Sequence, residues 1–209
     1  NFGAKRAIKV FIIMKNQVIK LLLFSAAALC ISGCCNPEII GSVANNLRSQ
    51  ETNNWCWAAT TQMLAEHFGI SVAQCDLANH RFGKTNCCNR QDPNSTCPKT
   101  NDCNTPGWLE LDFAGLKFKE SATALTWEAL RCEIYCDKKP MGYAYGTPGV
   151  VGHVLVIKGY VTVAGTNYLV LNDPWAPCGG QERLITYAEY ADPAGTSTHW
   201  NTWYGLSKK

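Results

Sequence analysis

The chain has 209 residues, 46% of them hydrophobic, which is enough for one or two globular domains with an apolar core. The formal net charge is +3, but the first 33 residues hold five basic residues and no acid, leaving 14 basic against 16 acidic residues in the remainder. The folded part therefore lacks the basic excess of a nucleic-acid-binding protein, and no nucleic acid partner is expected. Twelve cysteines are typical of an oxidising compartment.

The N-terminal residues have the pattern of an export signal. A basic segment starts at Met14, and residues 21–29 are apolar but too few to span a bilayer, which needs about 20 apolar residues. Residues 1–13 are interpreted as upstream sequence that is not translated, and residues 14–33 as a signal peptide. Its end, Ile-Ser-Gly followed by Cys34, resembles the lipobox of bacterial lipoproteins, in which that cysteine becomes lipidated. An ordinary signal peptide is the alternative.

Residues 34–48 are predicted to be a tether that precedes a single domain over residues 49–209. A lipid on Cys34 would anchor the exported protein to a membrane. Because Cys35, not aspartate, follows it, the outer membrane or the cell surface is expected rather than the inner membrane.

The most informative stretch is residues 50–60, where Cys56 lies between two tryptophans. Apolar side chains recur behind it at helical spacing, and Asn53 and Asn54 are suitable N-cap residues. Cys56 is thus expected in a first helical turn, where unpaired N–H groups and the helix dipole favour the nucleophilic thiolate. The alternative is a structural or disulfide cysteine, common in a cysteine-rich chain.

The spacing around Cys56 resembles the papain-like cysteine peptidases, because Gln50 precedes Cys56-Trp57-Ala58 by five intervening residues. The Trp-Cys-Trp-Ala-Ala form is closer to a bacterial branch that includes effector proteases of plant pathogens and bacteriocin leader peptidases. The resemblance implies that Cys56 attacks the substrate, that Gln50 donates a hydrogen bond to the oxyanion, and that Trp57 packs beside the site and shields it.

A second helix is predicted after Gly69, a suitable C-cap glycine, because residues 71–74 form a capping-box pattern; it should end near residue 80 or 82. Residues 83–106 are polar and cannot build a core alone, so disulfides are expected to hold them. The expected pairs are Cys75 with Cys87 or Cys88, and Cys97 with Cys103. A zinc site is the alternative, but the chain has no Cys-x2-Cys pair.

Two further helices are predicted, one opened by Pro106 and one capped by Thr126. Cys132 and Cys136 would share a face of the second, either bonded to each other or to other cysteines. With the signal, lipidated and nucleophilic cysteines set aside, nine cysteines remain. Because nine is odd, one should lack a partner or pair between chains, and Cys35 is the expected one.

The C-terminal half has the β-branched and aromatic pattern of strands. They are expected at residues 141–145, 150–163, 167–172 and 198–206, with a turn at 164–166. Helices followed by strands predict an α+β fold. This order matches the papain-like fold, with an N-terminal helical half, a C-terminal antiparallel β half and the active-site cleft between them.

His153 begins one of these strands and Asp173 ends the next. Alone, each has an ordinary interpretation, as a half-buried strand histidine and as a turn residue before proline. Together with Cys56 they follow the chain order of the papain-like triad, so the resemblance implies that His153 is the base, that Asp173 orients it and that Trp175 shields the site. A regular hairpin leaves Asp173 three or four residues from the position opposite His153, about 10–13 Å away, so a bulge, a shifted turn or strand coiling is required.

The resemblance implies a cysteine peptidase that cleaves protein or peptide substrates through a thioester, without cofactor or metal, and as a monomer. Two alternatives remain open. One is another amide-processing reaction on the same triad, such as deamidation, transamidation or cleavage of a peptidoglycan cross-link. The other is a non-catalytic, disulfide-stapled lipoprotein that binds a partner.

Overall fold

A computed structural model of the chain describes residues 35–89, 102–150, 152–175, 177–195 and 197–209. The elements within them, in chain order, are strand β1 (Ile40–Ser42), helices α1 (Cys56–His67) and α2 (Gln74–Phe82), strand β2 (Leu116–Ser121), helix α3 (Trp127–Arg131), a π-helical turn (Cys132–Cys136), strands β3 (Met141–Gly146), β4 (His153–Val163), β5 (Thr166–Asp173) and β6 (Gln181–Thr186), helix α4 (Tyr187–Ala191) and strand β7 (Thr198–Lys208). The predicted upstream segment, the predicted signal peptide, Cys34 and Cys97 lie outside the described residues. Across the described ranges, no helix is both long and apolar enough to cross a bilayer.

The strands form one antiparallel sheet in the order β2-β7-β3-β4-β5-β6, with β1 paired to β4 beyond the end of β3. Helices α1 and α2 pack on one face, where Val154 and Val156 of β4 join their apolar cluster. On the other face, Leu155 and Ile157 join a cluster with residues of α3 and α4. Strand β4 is therefore buried on both faces, which explains its continuous apolar run. The predicted α+β fold is confirmed.

The helix that begins at Cys56 is confirmed, but its predicted N-cap at Asn53 or Asn54 is wrong. Its N-cap residue is Trp55, without a side-chain cap. The backbone N–H of Asn54 instead donates to Asn104 Oδ1 at 2.9 Å, and its side chain donates to the Asn104 carbonyl. Gly69 follows the helix with φ of +70°, the left-handed conformation expected of a glycine that terminates a helix. Contacts with a distant loop thus occupy the residues that local propensity assigned to capping.

The predicted capping box of α2 is wrong, although the helix ends at Phe82 as expected. The N-cap residue is Ala73, without a side-chain cap. The Gln74 side chain accepts from the Glu51 backbone N–H at 2.9 Å and donates to the Ser49 carbonyl at 2.9 Å. Gln74 therefore holds the segment that leads to Cys56, which is why it does not cap its own helix.

The prediction of a helix that opens at Pro106 is also wrong. Residues 106–110 have no regular secondary structure and lie along α1 and α2. The Glu110 backbone N–H donates to Thr61 Oγ1, and the Glu110 carboxylate pairs with Arg81 at 2.6 Å. A Cβ at Gly107 would lie 2.5 Å from the Arg81 side chain, so the backbone is in close contact with α2. These contacts outweigh local helix propensity. The cap at Thr126 is confirmed: its hydroxyl accepts from the Ala129 N–H at 3.2 Å.

Residues 35–48, assigned above to a tether, are part of the folded domain. Strand β1 pairs with β4, and Val43 is buried. A disulfide joins Cys35 to Cys136, which corrects both the expectation that Cys35 lacks a partner and the option of a bond within the π-helical turn. The tether was predicted from composition, which does not reveal that these residues add a strand to the sheet.

The disulfide pattern agrees with the prediction in part. Cys75–Cys88 is confirmed. Cys103 bonds to Cys87 and not to Cys97, and the Cα atoms of residues 87 and 103 are 5.5 Å apart, a usual distance for a disulfide. Cys132 and Cys178 are also disulfide-bonded. Among the described cysteines, Cys56 is the free thiol.

Candidate active site

A cavity of about 540 Å³ opens where the N-terminus of α1 meets the start of β4 and the end of β5. Cys56, His153 and Asp173, which lie on three different elements, all line it. The other lining residues are Asn53, Asn54, Tyr145, Gly146, Thr147, Gly152, Trp175, Arg183 and Ser197. The structure therefore brings the three predicted triad residues into one cleft.

Cys56 is the first residue of α1 and is 8% exposed. Its backbone N–H belongs to the first turn, where helix N–H groups have no intrahelical acceptor. The thiol is hydrogen-bonded to the His153 imidazole. One turn further along α1, Thr60 Oγ1 donates to the Val154 carbonyl at 3.1 Å, which ties the helix to β4 beside the histidine. The helix and the strand are thus held together one helical turn beyond the cysteine–histidine contact.

The His153 ring also contacts Asp173, with 2.6 Å between Nε2 and Oδ1. Since Nε2 bonds the carboxylate, Nδ1 is the ring nitrogen left for Cys56. The Asp173 side chain is 1% exposed and that of His153 is 13% exposed, so the pair is largely screened from water.

A β-bulge between residues 157 and 159 explains how this pair meets. Strands β4 and β5 turn at Ala164 and Gly165, both with positive φ, so that Val163 pairs with Thr166. Continued regularly, that register would place Asp173 opposite residue 156, with His153 pointing to the other face of the sheet. The bulge shifts the register by one residue, so that Asn172 pairs with Val156. Asp173 then lies opposite residue 155, on the same face as His153 and diagonal to it.

The environment of the pair stabilises the charged forms of both residues. Burial disfavours the imidazolium, but the hydrogen bonds with Asp173 and Cys56 outweigh it and raise the pKa of His153 from 6.5 to about 9. Burial would likewise raise the pKa of Asp173, but the hydrogen bond and charge of His153, together with Arg183 and the Trp175 N–H, lower it from 3.8 to about 2. At neutral pH the site therefore holds an imidazolium beside a carboxylate.

Arg183 is the residue of the site that sequence reasoning missed. Its Nη1 lies 2.6 Å from Asp173 Oδ2, so the two carboxylate oxygens bond to different partners. It lies on β6, where it pairs with Leu171 and is therefore diagonal to Asp173. No local motif marks it, because only strand pairing brings residue 183 beside residue 173.

The two aromatic residues expected to shield the site lie in different places. Trp175 lines the cavity, and its ring centroid is 5.6 Å from that of His153 in an edge-to-face arrangement. Its backbone N–H donates to Asp173 Oδ1 at 2.9 Å. Trp57 is fully buried in the core, packs against Phe82 and does not line the cavity, so its predicted shielding role is corrected to a core role.

Gln50 is buried beside the helix start but is absent from the residues that line the cavity. Its Nε2 donates to the carbonyls of Thr52 and Asn53, both at 2.8 Å. Both amide hydrogens are therefore used within the turn that leads to Cys56. To act as an oxyanion donor, Gln50 would have to release one of these carbonyls, so that role stays a prediction.

Replacing Gln50 separates these two roles. We expect Gln50→Ala to lower the free energy of unfolding by about 2 kcal/mol, because the buried Thr52 carbonyl and the partly buried Asn53 carbonyl lose their hydrogen bonds. Thermal unfolding and peptidase rate would be measured together, with the exposed Gln181→Ala as the matched control. An unchanged Tm with a rate loss of about a hundred-fold would assign Gln50 to the oxyanion instead.

A disulfide-held loop forms the wall behind Cys56. The indole N–H of Trp55 donates to the Cys103 carbonyl at 2.8 Å, and that of Trp57 donates to the Thr105 carbonyl at 3.2 Å. Cys103 is bonded to Cys87, so the cystine fixes the acceptors for the indoles on both sides of the nucleophile.

The cysteines of this region have a structural role, because they form disulfides. One group of potential metal ligands occurs among the described residues and consists of Cys75, Asp76 and Cys88. Its two cysteines form a disulfide, so neither sulfur is a thiolate that could bind a metal.

One family of known proteins and several solved structures are similar to this chain. A family model described as the Peptidase_C39-like family matches residues 45–206. Similar solved structures include the peptidase domain of Streptococcus ComA, a bifunctional ABC transporter involved in a quorum-sensing pathway, at 12% identity and a TM-score of 0.47, covering 78% of this chain and 98% of that one. Digestive procathepsin L 3 of Tenebrio molitor larval midgut is 12% identical, with a TM-score of 0.47, over 81% of this chain and 72% of that one. A structure from work on the mite allergens Blo t 1 and Der p 1 is 12% identical, with a TM-score of 0.49, over 83% of this chain and 73% of that one. No curated protein sequence matches the chain.

Proposed function

Because the chain belongs to the Peptidase_C39-like family and is a cysteine peptidase of papain-like α+β fold, we propose that it cleaves peptide bonds through a triad of Cys56, His153 and Asp173. The observation that carries this proposal is the convergence of the three side chains in one cleft. Asp173 Oδ1 lies 2.6 Å from the imidazole, which is also hydrogen-bonded to the free thiol of Cys56. The oxidised state of the surrounding cysteines supports a distinct role for this thiol.

In the proposed reaction the proton of the Cys56 thiol resides on His153 before the substrate binds, so that the reactive state is a thiolate–imidazolium pair. The Cys56 sulfur attacks the substrate carbonyl carbon, and the imidazolium then donates its proton to the leaving amine as the C–N bond breaks. The neutral imidazole next removes a proton from water, which attacks the thioester and releases the acid. Asp173 holds the imidazole with Nε2 toward itself, so that Nδ1 serves both proton transfers.

Charge on the substrate oxygen in each tetrahedral intermediate needs a hydrogen-bond donor. The backbone N–H of Cys56 lies at the first turn of α1, where helix N–H groups lack intrahelical acceptors and the helix dipole favours negative charge. A single oxyanion donor is worth about 3–4 kcal/mol in peptidases. We therefore propose that α1 positions the nucleophile and stabilises the oxyanion with the same turn.

The proposal is tested by chemistry at Cys56 and by the products formed. At pH 7, iodoacetamide should label Cys56 of the folded, non-reduced protein, identified by peptide mass mapping, whereas the other described cysteines should stay unlabelled because they are disulfide-bonded. Incubation with denatured protein or a peptide library should then release new amine termini. A Cys56 that stays unlabelled while exposed thiol controls react would contradict the proposal.

The same products distinguish the alternative reactions of the triad. A deamidase or transamidase would release ammonia without new amine termini, and a peptidoglycan peptidase would act on cross-linked muropeptides but not on polypeptides. New termini on polypeptide substrates are the outcome we expect. Hydrolysis is favoured because the cavity is open to water and the chain belongs to a peptidase family.

We further propose that the enzyme is exported as a lipoprotein, anchored to a membrane through Cys34 on the basis of the Ile-Ser-Gly-Cys sequence. The disulfide from Cys35 to Cys136 would then leave almost no linker between lipid and domain. Cys34→Ser should abolish incorporation of labelled fatty acid and shift the protein from the membrane fraction to the soluble one. Retention of the label in this variant would contradict the anchor.

A further inference from the structure

Arg183 is a cation of the catalytic cleft that the proposed reaction does not use. Its Nη1 is 2.6 Å from Asp173 Oδ2, and its side chain is 38% exposed, whereas that of Asp173 is 1% exposed. Exposed ion pairs add little to the stability of a fold. A buried carboxylate that loses its charged partner, in contrast, destabilises the folded state strongly. The main effect of the contact is therefore that it pairs the buried carboxylate of Asp173.

We propose that Arg183 is a positioning residue that holds Asp173 by one oxygen and offsets its charge, so that only Oδ1 serves His153. This inference rests on the proposed triad. A carboxylate has two equivalent oxygens and can turn either one toward the imidazole. Here Oδ2 accepts from Arg183, while Oδ1 accepts from His153 and from the Trp175 N–H, so that the carboxylate has one orientation.

The charge of Arg183 also bears on proton transfer. A thiolate, an imidazolium and a carboxylate together carry a net charge of −1 in a largely buried site. Arg183 brings that total to zero. Without it, the carboxylate would attract the imidazolium proton more strongly, and His153 would release that proton less readily to the leaving amine.

The other titratable groups around the cleft are few. Those that line it, besides Arg183, are Cys56 from α1, Tyr145 from β3, His153 from β4 and Asp173 from β5. Tyr145 is itself hydrogen-bonded to Arg183, and its ring lies 6.0 Å from that of His153. On neighbouring positions of the same strands, Lys158 pairs with Glu182 and does not line the cavity. This second cation provides a matched control.

The test measures the titration of His153 without relying on turnover. The Cε1 proton of His153 is followed by NMR from pH 5 to 11 and assigned by its absence in His153→Ala. In Arg183→Met, we expect the midpoint to rise by about one pH unit, because a nearby positive charge is removed. The pH profile of Cys56 alkylation by iodoacetamide should move upward as well, and kcat should fall about tenfold. Lys158→Met should leave all three unchanged.

Two further variants keep the test decisive. Arg183→Gln retains a hydrogen-bond donor for Oδ2 but no charge, so it should fold and show the same upward shift; Arg183→Lys should restore the wild-type midpoint. An unchanged or lowered His153 midpoint in Arg183→Gln would overturn the inference. If wild-type Cys56 fails to react with iodoacetamide at pH 7, the proposed triad itself is wrong, which is a separate outcome.

Discussion

Cys56→Ala is expected to abolish peptide-bond cleavage while leaving the fold intact. In serine peptidases that use the same covalent strategy, loss of the nucleophile lowers kcat roughly a million-fold. The thiol is free and hydrogen-bonded to His153, so its removal takes away the attacking atom and one partner of the imidazole. The change should show as the loss of all new amine termini above background and as the loss of the iodoacetamide label at residue 56.

The fold should tolerate this substitution because the helix does not depend on the sulfur. Alanine has the highest helix propensity, and Cys56 is followed by buried alanines at 58 and 59. The disulfides join other cysteines, so thermal unfolding should be nearly unchanged. Cys56→Ser serves as the control that keeps the size and a hydrogen-bonding group. Retention of full activity by Cys56→Ala on every substrate of the wild type would remove Cys56 from the mechanism.

Asp173→Asn is expected to lower kcat/KM by about a hundred-fold or more and to move the alkaline limit of activity to lower pH. Papain has asparagine at this position, but here both side-chain oxygens accept from donors: Oδ1 from His153 and Trp175, and Oδ2 from Arg183. An amide has only one oxygen, so its NH2 group would face either the imidazole or the guanidinium. The substitution is therefore not conservative in this chain.

The direction of the pH effect follows from His153. Its pKa of about 9 depends on Asp173 and Cys56, and without the carboxylate it should fall toward the ordinary 6.5. The imidazolium that protonates the leaving amine would then be lost at lower pH, and the alkaline limb of kcat/KM would move down from about pH 9. The exposed Asp112→Asn, which touches only a surface pair with Lys209, is the matched control. An alkaline limb that stays in place would contradict the assignment.

Stability gives a second measurement of the same coupling. The pKa of His153 is raised on folding, so its contribution to stability is fully present below pH 6.5 and is lost as pH rises through about 9. Asp173, with its pKa lowered to about 2, remains a carboxylate across this window. The Tm of the wild type should therefore decline between pH 6.5 and 9, and Asp173→Asn should reduce this decline. Differential scanning calorimetry over that range measures both.

Local sequence was sufficient where a long run of apolar residues marks the buried face of an element. Alanines and apolar residues at helical spacing placed Cys56 at the start of α1, and a β-branched run with a turn at Ala164-Gly165 predicted the hairpin of β4 and β5. Such patterns report which face of an element is buried, which is a property of neighbouring residues. The cystine partners, in contrast, were only partly predictable, because Cys87 and Cys103 meet through the path of a long loop.

By itself, then, the sequence determined helix α1, the hairpin of β4 and β5, the cysteine-rich oxidised character and the three residues proposed to react, but not strands β1, β2 and β6. The tertiary structure decided whether and how they meet. The bulge at residues 157–159 turns His153 and Asp173 to the same face, the pairing of β5 with β6 brings Arg183 to the carboxylate, and the turn before α1 engages the Gln50 amide. These contacts join residues that are distant along the chain or depend on one irregular position, and their free energy comes from packing that local propensity does not encode.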